Sequence, residues 1–367
     1  MKKLVVLMCL CLATVACTKK EKEADVIRIG AAGPLTGDMA VFGQDQVNGM
    51  KLAIDEWNAK GGVLGKKIVM VEGDDQRDPK QAVSAANKLV NEGVAAVVGH
   101  FNSNCSIPAS AVYHKAGVPQ ISHGSTNPQL TEQGFASLFR ICGRDDQQGK
   151  VSAVYATDVL KAKKVAILHD KTTYGQGLAD EFRKGLGDKA QVVAYDGIGV
   201  GEKDYSPVVT RIKAANPDLV FFGGIYVEGG LLIKQFKAVG GTAPFIGGDG
   251  IMSGELVKIG GPATEGTYAT FGPDTKEVPS AKGFNENYRN RFGEPGVYSV
   301  YAYDATNIIL QALQKVGAVD GKKLADAIRG IDYNGALGHI QFDAKGDVKE
   351  SPYVVWKVEE GKWQQVK

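Results

Sequence analysis

Two short loops hold the residues of this chain best placed for chemistry. His100-Phe101-Asn102-Ser103-Asn104 follows the apolar run 95–99 and leads into a helical pattern, and His123-Gly124-Ser125-Thr126-Asn127-Pro128 follows residues 119–122. In open α/β sheets ligands bind beyond the carboxyl ends of the strands, where loops of this kind enter helices. A helix start offers backbone N–H groups to an anion, and Ser103 reads as a cap whose N–H and hydroxyl face such a cleft. A third candidate is Asp249, which follows a strand-like run and is bracketed by Gly248 and Gly250. This is the chemistry of recognition rather than turnover. There is no Gly-x-Ser-x-Gly elbow and no His-Glu-x-x-His; residues 61–66 and 197–201 are glycine-rich but miss the phosphate-loop and dinucleotide spacings. The five histidines (100, 114, 123, 169 and 339) stand singly, so no metal site and no cofactor is expected, and the chain does not read as an enzyme.

The elements that must position these loops alternate. Strand-like runs end at Val71, Val98, Ile121, Leu168, Val193, Phe222 and Ile246, with helical patterns at 81–91, 106–115, 147–161, 177–186, 208–214 and 229–238. Such alternation builds mostly parallel sheets covered by helices on both faces, an α/β fold. Asp78-Pro79 and Ser206-Pro207 each predict a capped helix start with proline in the first turn. After residue 272 the pattern changes to helices at 282–291, 299–315 and 322–329, then strands at 339–342, 353–358 and 363–366. About 350 residues exceed the usual size of one core, so two lobes are expected.

Residues 1–16 read as an export signal: Lys2 and Lys3 precede an apolar core and the small-residue end Ala13-Thr14-Val15-Ala16. Cys17 follows directly, as at a lipoprotein cleavage site, and residues 17–25 form a charged tether; ordinary cleavage after Ala16 is the alternative. The chain has 43 basic and 41 acidic residues. Without Lys2 and Lys3 the counts are equal, which leaves no electrostatic footprint for nucleic acid or an anionic membrane. Cys105 and Cys142 form an even pair in an oxidising compartment, and a disulfide between them is expected.

Directly behind the export signal, Val26, Ile27 and Ile29 form a β-type run that ends in Gly33-Pro34-Leu35-Thr36-Gly37. An amphipathic helix then carries Val47, Met50, Leu52, Ile54 and Trp57, and Gly61-Gly62 stops it. This strand–loop–helix opening resembles the leucine/isoleucine/valine-binding family of type I periplasmic solute-binding proteins, and the resemblance extends over residues 26–367. It implies a type I periplasmic binding protein fold of two Rossmann-like lobes joined by three hinge strands. Lobe 1 would be 26–143 plus 272–342 and lobe 2 would be 144–271 plus 343–367, with crossings near 143–144, 271–272 and 342–343. The implied function is capture of a free branched-chain or small aliphatic amino acid by hinge closure, and delivery to the membrane permease of an ABC importer. The alternative is an amino-acid or amide sensor lobe feeding a signalling receptor. A periplasmic monomer is expected, touching the membrane only through a lipid on Cys17.

The resemblance also implies residue roles. Ser103 would hold the ligand carboxylate, Gly124 would offer its carbonyl to the ammonium, and Thr126 would contact both groups. From the other lobe Tyr174 would close over the ligand and Asp249 would be the ammonium's counter-ion, where leucine binders usually carry Glu. Phe42, Tyr226 and Tyr298 would wall the side-chain pocket, with Ile225 competing for the place of Tyr226. The positions that often form the family's disulfide correspond here to Arg77 and Asn102.

Overall fold

A computed structural model describes residues 26–367. The expected signal, tether and lipidation site at Cys17 lie outside the described residues. The first sheet is fed by β1 (Val26–Gly33), β2 (Lys67–Asp74), β3 (Ala96–Gly99), β4 (Gln120–Ser122) and β5 (Leu138–Arg140), all parallel, in the order β2-β1-β3-β4-β5. Between them run α1 (Ala40–Ala59), α2 (Pro79–Asn91), α3 (Ser103–Ala116) and the single turn α4 (Gln129–Glu132). The chain then enters a second unit through α5 (Asp145–Val154). There β6 (Lys164–His169), β7 (Gln191–Gly197), β8 (Leu219–Gly223), β9 (Phe245–Gly247) and β10 (Tyr268–Phe271) alternate with α6 (Thr173–Leu186), α7 (Ser206–Ala214), α8 (Tyr226–Ala238) and α9 (Gly254–Gly260).

From β10 the chain returns to the first unit. There α10 (Lys282–Phe292) and α11 (Ser299–Val316) pack on α1, and α12 (Gly321–Arg329) packs on α11. The approach of α1 to α11 requires a glycine, since a Cβ at Gly49 would lie 2.1 Å from the Ser299 carbonyl oxygen. A small hairpin follows, β11 (Tyr333–Gly335) with β12 (Gly338–Ile340). The chain finally crosses back, and β13 (Val354–Glu359) and β14 (Lys362–Gln365) close the second sheet antiparallel, in the order β14-β13-β10-β9-β8-β6-β7. The central strands β3 and β8 are apolar and fully buried because helices cover both faces of each sheet. Strands β5 (3 residues) and β10 (4 residues) are not among the strand-like runs read in the sequence, although β4 and β9 are as short as β5.

Local chemistry accounts for the helix starts unevenly. Asp78 caps α2 as expected, accepting from the N–H groups of Lys80 (2.8 Å) and Gln81 (2.9 Å), with Pro79 in the first turn. Ser206 is not a cap: it is already the first residue of α7, and Asp204 instead accepts from its N–H at 2.9 Å. The expected Cys105–Cys142 bridge is absent. Both cysteines are free thiols and both are buried. Cys105 lies in a small cluster with Ala82, Leu89, Val97 and Tyr113, whereas Cys142 packs in the main core at the first crossing and points its thiol at the Ser125 carbonyl (3.6 Å). An even count says nothing about which cluster each sulfur joins.

Two charged clusters tie the units together. At the crossings, Arg140 is completely buried at the end of β5 and spends every N–H donor. Its Nε and one Nη2 proton go to Asp347 Oδ1 (2.8 and 2.6 Å). The others go to the carbonyls of Ser125 (3.1 Å) and Asn127 (2.8 Å) and to the Thr131 hydroxyl (2.7 Å). Arg144 reaches the other Asp347 oxygen at 2.7 Å. Across the cleft, Arg77 in the loop after β2 is buried against Glu228 (3.1 Å) and Asp170 (3.2 Å) of the second unit. Tyr226 donates to the Asp38 carbonyl (2.7 Å) and the Asn127 amide donates to the Thr173 carbonyl (2.8 Å), so the cleft is closed.

Removing one member of a buried pair costs about 3–5 kcal/mol because the other charge is stranded. Asp347→Asn should therefore lower the unfolding free energy by about that amount at neutral pH. Burial pushes the Asp347 carboxyl up, but Arg140 and Arg144 overcome this and leave it below the ordinary range. A depressed carboxylate pKa contributes stability that is present above the unfolded value of about 4 and is lost as pH falls through the folded one. The gap between wild type and Asp347→Asn in urea unfolding should thus shrink below about pH 4; a gap independent of pH would remove Asp347 from this role. Arg77→Met strands Glu228 and Asp170 only when the cleft is shut. Small-angle scattering of the ligand-free variant should show a larger radius of gyration than wild type, and identical curves would mean the cluster does not hold the cleft.

Candidate functional site

A cavity of about 10 Å³ lies in the closed cleft, lined by Phe101, Asn102, Ser103 and Gly124 from one side and Tyr174, Ile225, Asp249 and Gly250 from the other. That is about the space of one water molecule, so the side chains of the two units are already packed against each other here. A larger crevice between Phe271, Pro295, Trp356 and Trp363 contains no buried carboxylate.

Asp249 is the centre of the site. It follows β9, is 4% exposed, and its two carboxylate oxygens accept from the hydroxyls of Tyr174 (2.9 Å) and Tyr298 (2.8 Å). Tyr174 is held in turn: its oxygen accepts from the Gly250 N–H at 2.9 Å, and Thr172 caps its helix through the Gly175 N–H (3.0 Å). Burial pushes the Asp249 carboxyl up from its ordinary value, and the tyrosine hydrogen bonds pull the other way. Burial also drives the Tyr174 and Tyr298 hydroxyls well up, so both remain donors. Gly248 and Gly250 are needed because a Cβ at either would meet the Tyr174 ring or hydroxyl within 3 Å.

The two first-unit loops meet the cavity as neighbours. Ser103 is the first residue of α3 rather than its cap; Asn102 holds the cap position without a side-chain cap bond. The Ser103 hydroxyl accepts from the Asn127 N–H at 3.3 Å, which fastens one loop to the other. Gly124 lies flat against Phe101, where a Cβ would be 2.5 Å from the ring. Thr126 is buried, and its hydroxyl has no aligned hydrogen-bond partner. His100 props the floor: its ring bridges Asp75 (2.7 Å) and Tyr113 (3.0 Å), and its carbonyl accepts from Ser106 and Ser122. Burial pushes His123 down to about 3, so its imidazole is neutral against Phe101.

The expected aromatic wall is arranged differently. Phe42 lies in the first turn of α1, not in the loop before it, and packs on Phe101 (4.9 Å), Tyr226 (5.0 Å) and Tyr298 (5.0 Å) behind the lining. Tyr226 turns its hydroxyl to Asp38 on the other side of the cleft, and Ile225 takes the lining position. Tyr298 brings its hydroxyl to Asp249 as well as its ring to the cluster. Phe101, Asn102 and Gly250 were missed as lining although they adjoin residues singled out. Asp145 and Gln148, both buried with unpartnered oxygens, carried no local signal. Among the described residues no group of three or more His, Cys, Asp or Glu could hold a metal, and no helix is long and apolar enough to cross a membrane.

Comparison with known proteins follows this geometry. The periplasmic binding protein family model matches residues 26–362. A Leu/Ile/Val-binding protein homolog of Brucella suis biovar 1 is 45% identical over 92% of this chain and 91% of its own length. An amino acid binding protein of Pseudomonas aeruginosa is 45% identical over 94% and 93%. Among solved structures, a leucine binding protein from Thermotoga maritima has a TM-score of 0.88 at 32% identity, covering 93% of this chain and 98% of that one. The substrate-binding protein of a branched-chain amino acid transporter from Streptococcus pneumoniae, in complex with isoleucine, has a TM-score of 0.86 at 31% identity, covering 93% and 99%. With the family model matching residues 26–362 and relatives 45% identical over most of its length, the chain belongs to the periplasmic binding protein family.

Proposed function

We propose that this protein captures a free branched-chain or small aliphatic amino acid outside the cytoplasm and presents it to the permease of an ABC importer. The observation that carries the reading is Asp249: a buried carboxylate, braced by two tyrosine hydroxyls, lining the closed cleft together with Ser103 and Gly124. A zwitterion matches that arrangement. Its ammonium takes Asp249 and the Gly124 carbonyl, and its carboxylate takes the Ser103 hydroxyl and the N–H groups at the start of α3. Its side chain would rest on Phe101 and Ile225, where no cation stands among the lining residues. Relatives at 45% identity bear Leu/Ile/Val-binding and amino acid binding names, which supports the ligand class. The lobes would open about crossings near 143–144, 271–272 and 342–343, and ligand would favour the closed form by its greater affinity for it.

Asp249→Asn keeps the shape and removes the charge. Leaving a buried ammonium without its carboxylate costs about 2–5 kcal/mol, so binding should weaken roughly 30-fold to several-thousand-fold. The loss should fall alike on leucine, isoleucine, valine and alanine in calorimetry, because the ammonium is common to all four. Unchanged affinity would remove Asp249 from the site.

The lipid anchor is a second element of the proposal, supported by Cys17 directly after Ala16 and the charged stretch behind it. Cys17→Ser should move the protein from the membrane to the soluble fraction with ligand affinity unchanged; wild-type protein that is already fully soluble would end that reading.

A further inference from the structure

The crevice beside the closed cleft belongs to both units, and the amino-acid reading gives it no role. Phe271, Trp356 and Trp363 wall it from the second unit, Pro295 and Val297 wall it from the first, and Pro273 stands where the chain passes between them. Its volume of about 200 Å³ exceeds the roughly 150 Å³ of an apolar cavity that takes a benzene ring. Both indoles are fixed: Trp356 Nε1 donates to the Gly272 carbonyl and Trp363 Nε1 to the Ser253 carbonyl, each at 3.0 Å. With their N–H groups spent on the backbone, what they offer the crevice is apolar ring.

The rim favours a cation. Asp274 is a half-buried lining residue, and among the described residues its carboxylate is bonded only through Oδ1, which accepts from the Lys276 N–H at 2.9 Å. A second half-buried carboxylate, Asp45, lies directly behind the lining residue Gly296, where an added Cβ would run into it. Two further acids near the rim are neutralised, Glu255 by Lys258 and Glu294 by Arg289 (2.7 Å). Lys276 is the only cation among the lining residues, and it is exposed, so water screens it more than the two half-buried carboxylates. Aromatic faces add to the same preference, since the ring quadrupole attracts a cation.

We propose that this crevice is a second ligand site, for a small aromatic amine whose ring rests on the two indoles and whose ammonium meets Asp274. Its walls are joined to the amino-acid site. Val297 adjoins Tyr298, whose hydroxyl reaches Asp249 across the cleft, and the Phe271 and Tyr298 rings pack edge to face at 5.1 Å. An occupant touching both units fits the closed arrangement and loses one wall when the cleft opens. It therefore favours closure, and by linkage it tightens amino-acid binding by the same factor that the amino acid tightens the amine. The coupling rests on the proposed function; occupation of the crevice does not.

Benzylamine is the probe, with benzyl alcohol as its uncharged counterpart. The chain has three tryptophans, and only Trp57, which donates to Asn307 at 2.9 Å, lies outside the crevice, so tryptophan emission reads the site directly. Benzylamine should change the emission saturably, with and without leucine, and should raise leucine affinity about fivefold or more in calorimetry. Gly254→Phe should abolish the benzylamine response and still bind leucine, because Gly254 lines the crevice and a Cβ there meets nothing within 4 Å. Asp274→Asn keeps an acceptor for the Lys276 N–H; it should weaken benzylamine about tenfold and leave benzyl alcohol unchanged, and it decides the matter should Gly254→Phe not fold. No saturable change, displacement of benzylamine by leucine, an undiminished response in Gly254→Phe, equal losses of both probes in Asp274→Asn, or a leucine affinity that benzylamine leaves unaltered would each overturn the inference. A wild type that binds no amino acid overturns the proposed function instead, and the emission titration still decides whether the crevice is a site.

Discussion

A carboxylate withdrawn from water must find donors, and Asp249 finds them on both sides of the cleft. Tyr174 belongs to the same unit as Asp249, whereas Tyr298 stands before α11 in the other. The hydrogen bond from Tyr298 therefore spans the closed cleft, and an opening of the cleft would break it and return the carboxylate to water. This couples the chemistry of the site to the position of the lobes. In the proposed function a ligand ammonium beside Asp249 would offset the cost of burying that charge, and the group that recognises the ligand would also register its arrival.

The other cross-cleft contacts divide by how much they depend on closure. Arg140 and Asp347 lie at the crossings, where the chain passes between units, and their pairing ties the crossing segments together. Arg77 meets Glu228 and Asp170 only at the rim of the closed cleft. Each ion in that rim cluster loses hydration on closing, so the gain is a balance of large terms and the cluster fixes registry more than it adds stability. The sharply bent loop that carries Arg77 has positive φ at both Gln76 and Arg77, and Asp75 accepts from the Arg77 N–H at 2.9 Å. The guanidinium is thus aimed by the loop rather than left to swing.

What could be read in the sequence follows the range of the interactions concerned. The alternation of strands and helices and the cap at Asp78 are local, and they were legible from a few neighbouring residues. Ser103, Gly124 and Asp249 could be singled out because loops after parallel strands open on one side of a sheet, whatever the rest of the fold does. Tyr226 and Ile225 could not be told apart, since adjacent residues at a helix start differ only by a rotation that the other lobe decides. Arg77 reads as a solvated loop charge until the second unit closes over it. The cysteine pair misled for the same reason: parity is a property of the chain, and proximity is a property of the packed clusters.

Asp145 and Gln148 show the limit most plainly. On the chain they belong to a polar helix start of ordinary composition, Asp145-Asp146-Gln147-Gln148, which by itself reads as a solvated first turn favoured by the helix dipole. Folding separates the four: Asp146 turns outward to Arg144, whereas Asp145 and Gln148 turn inward behind the second loop. The dipole can favour a charge at Asp145 but supplies no hydrogen bond, and every nearby guanidinium donor is already committed.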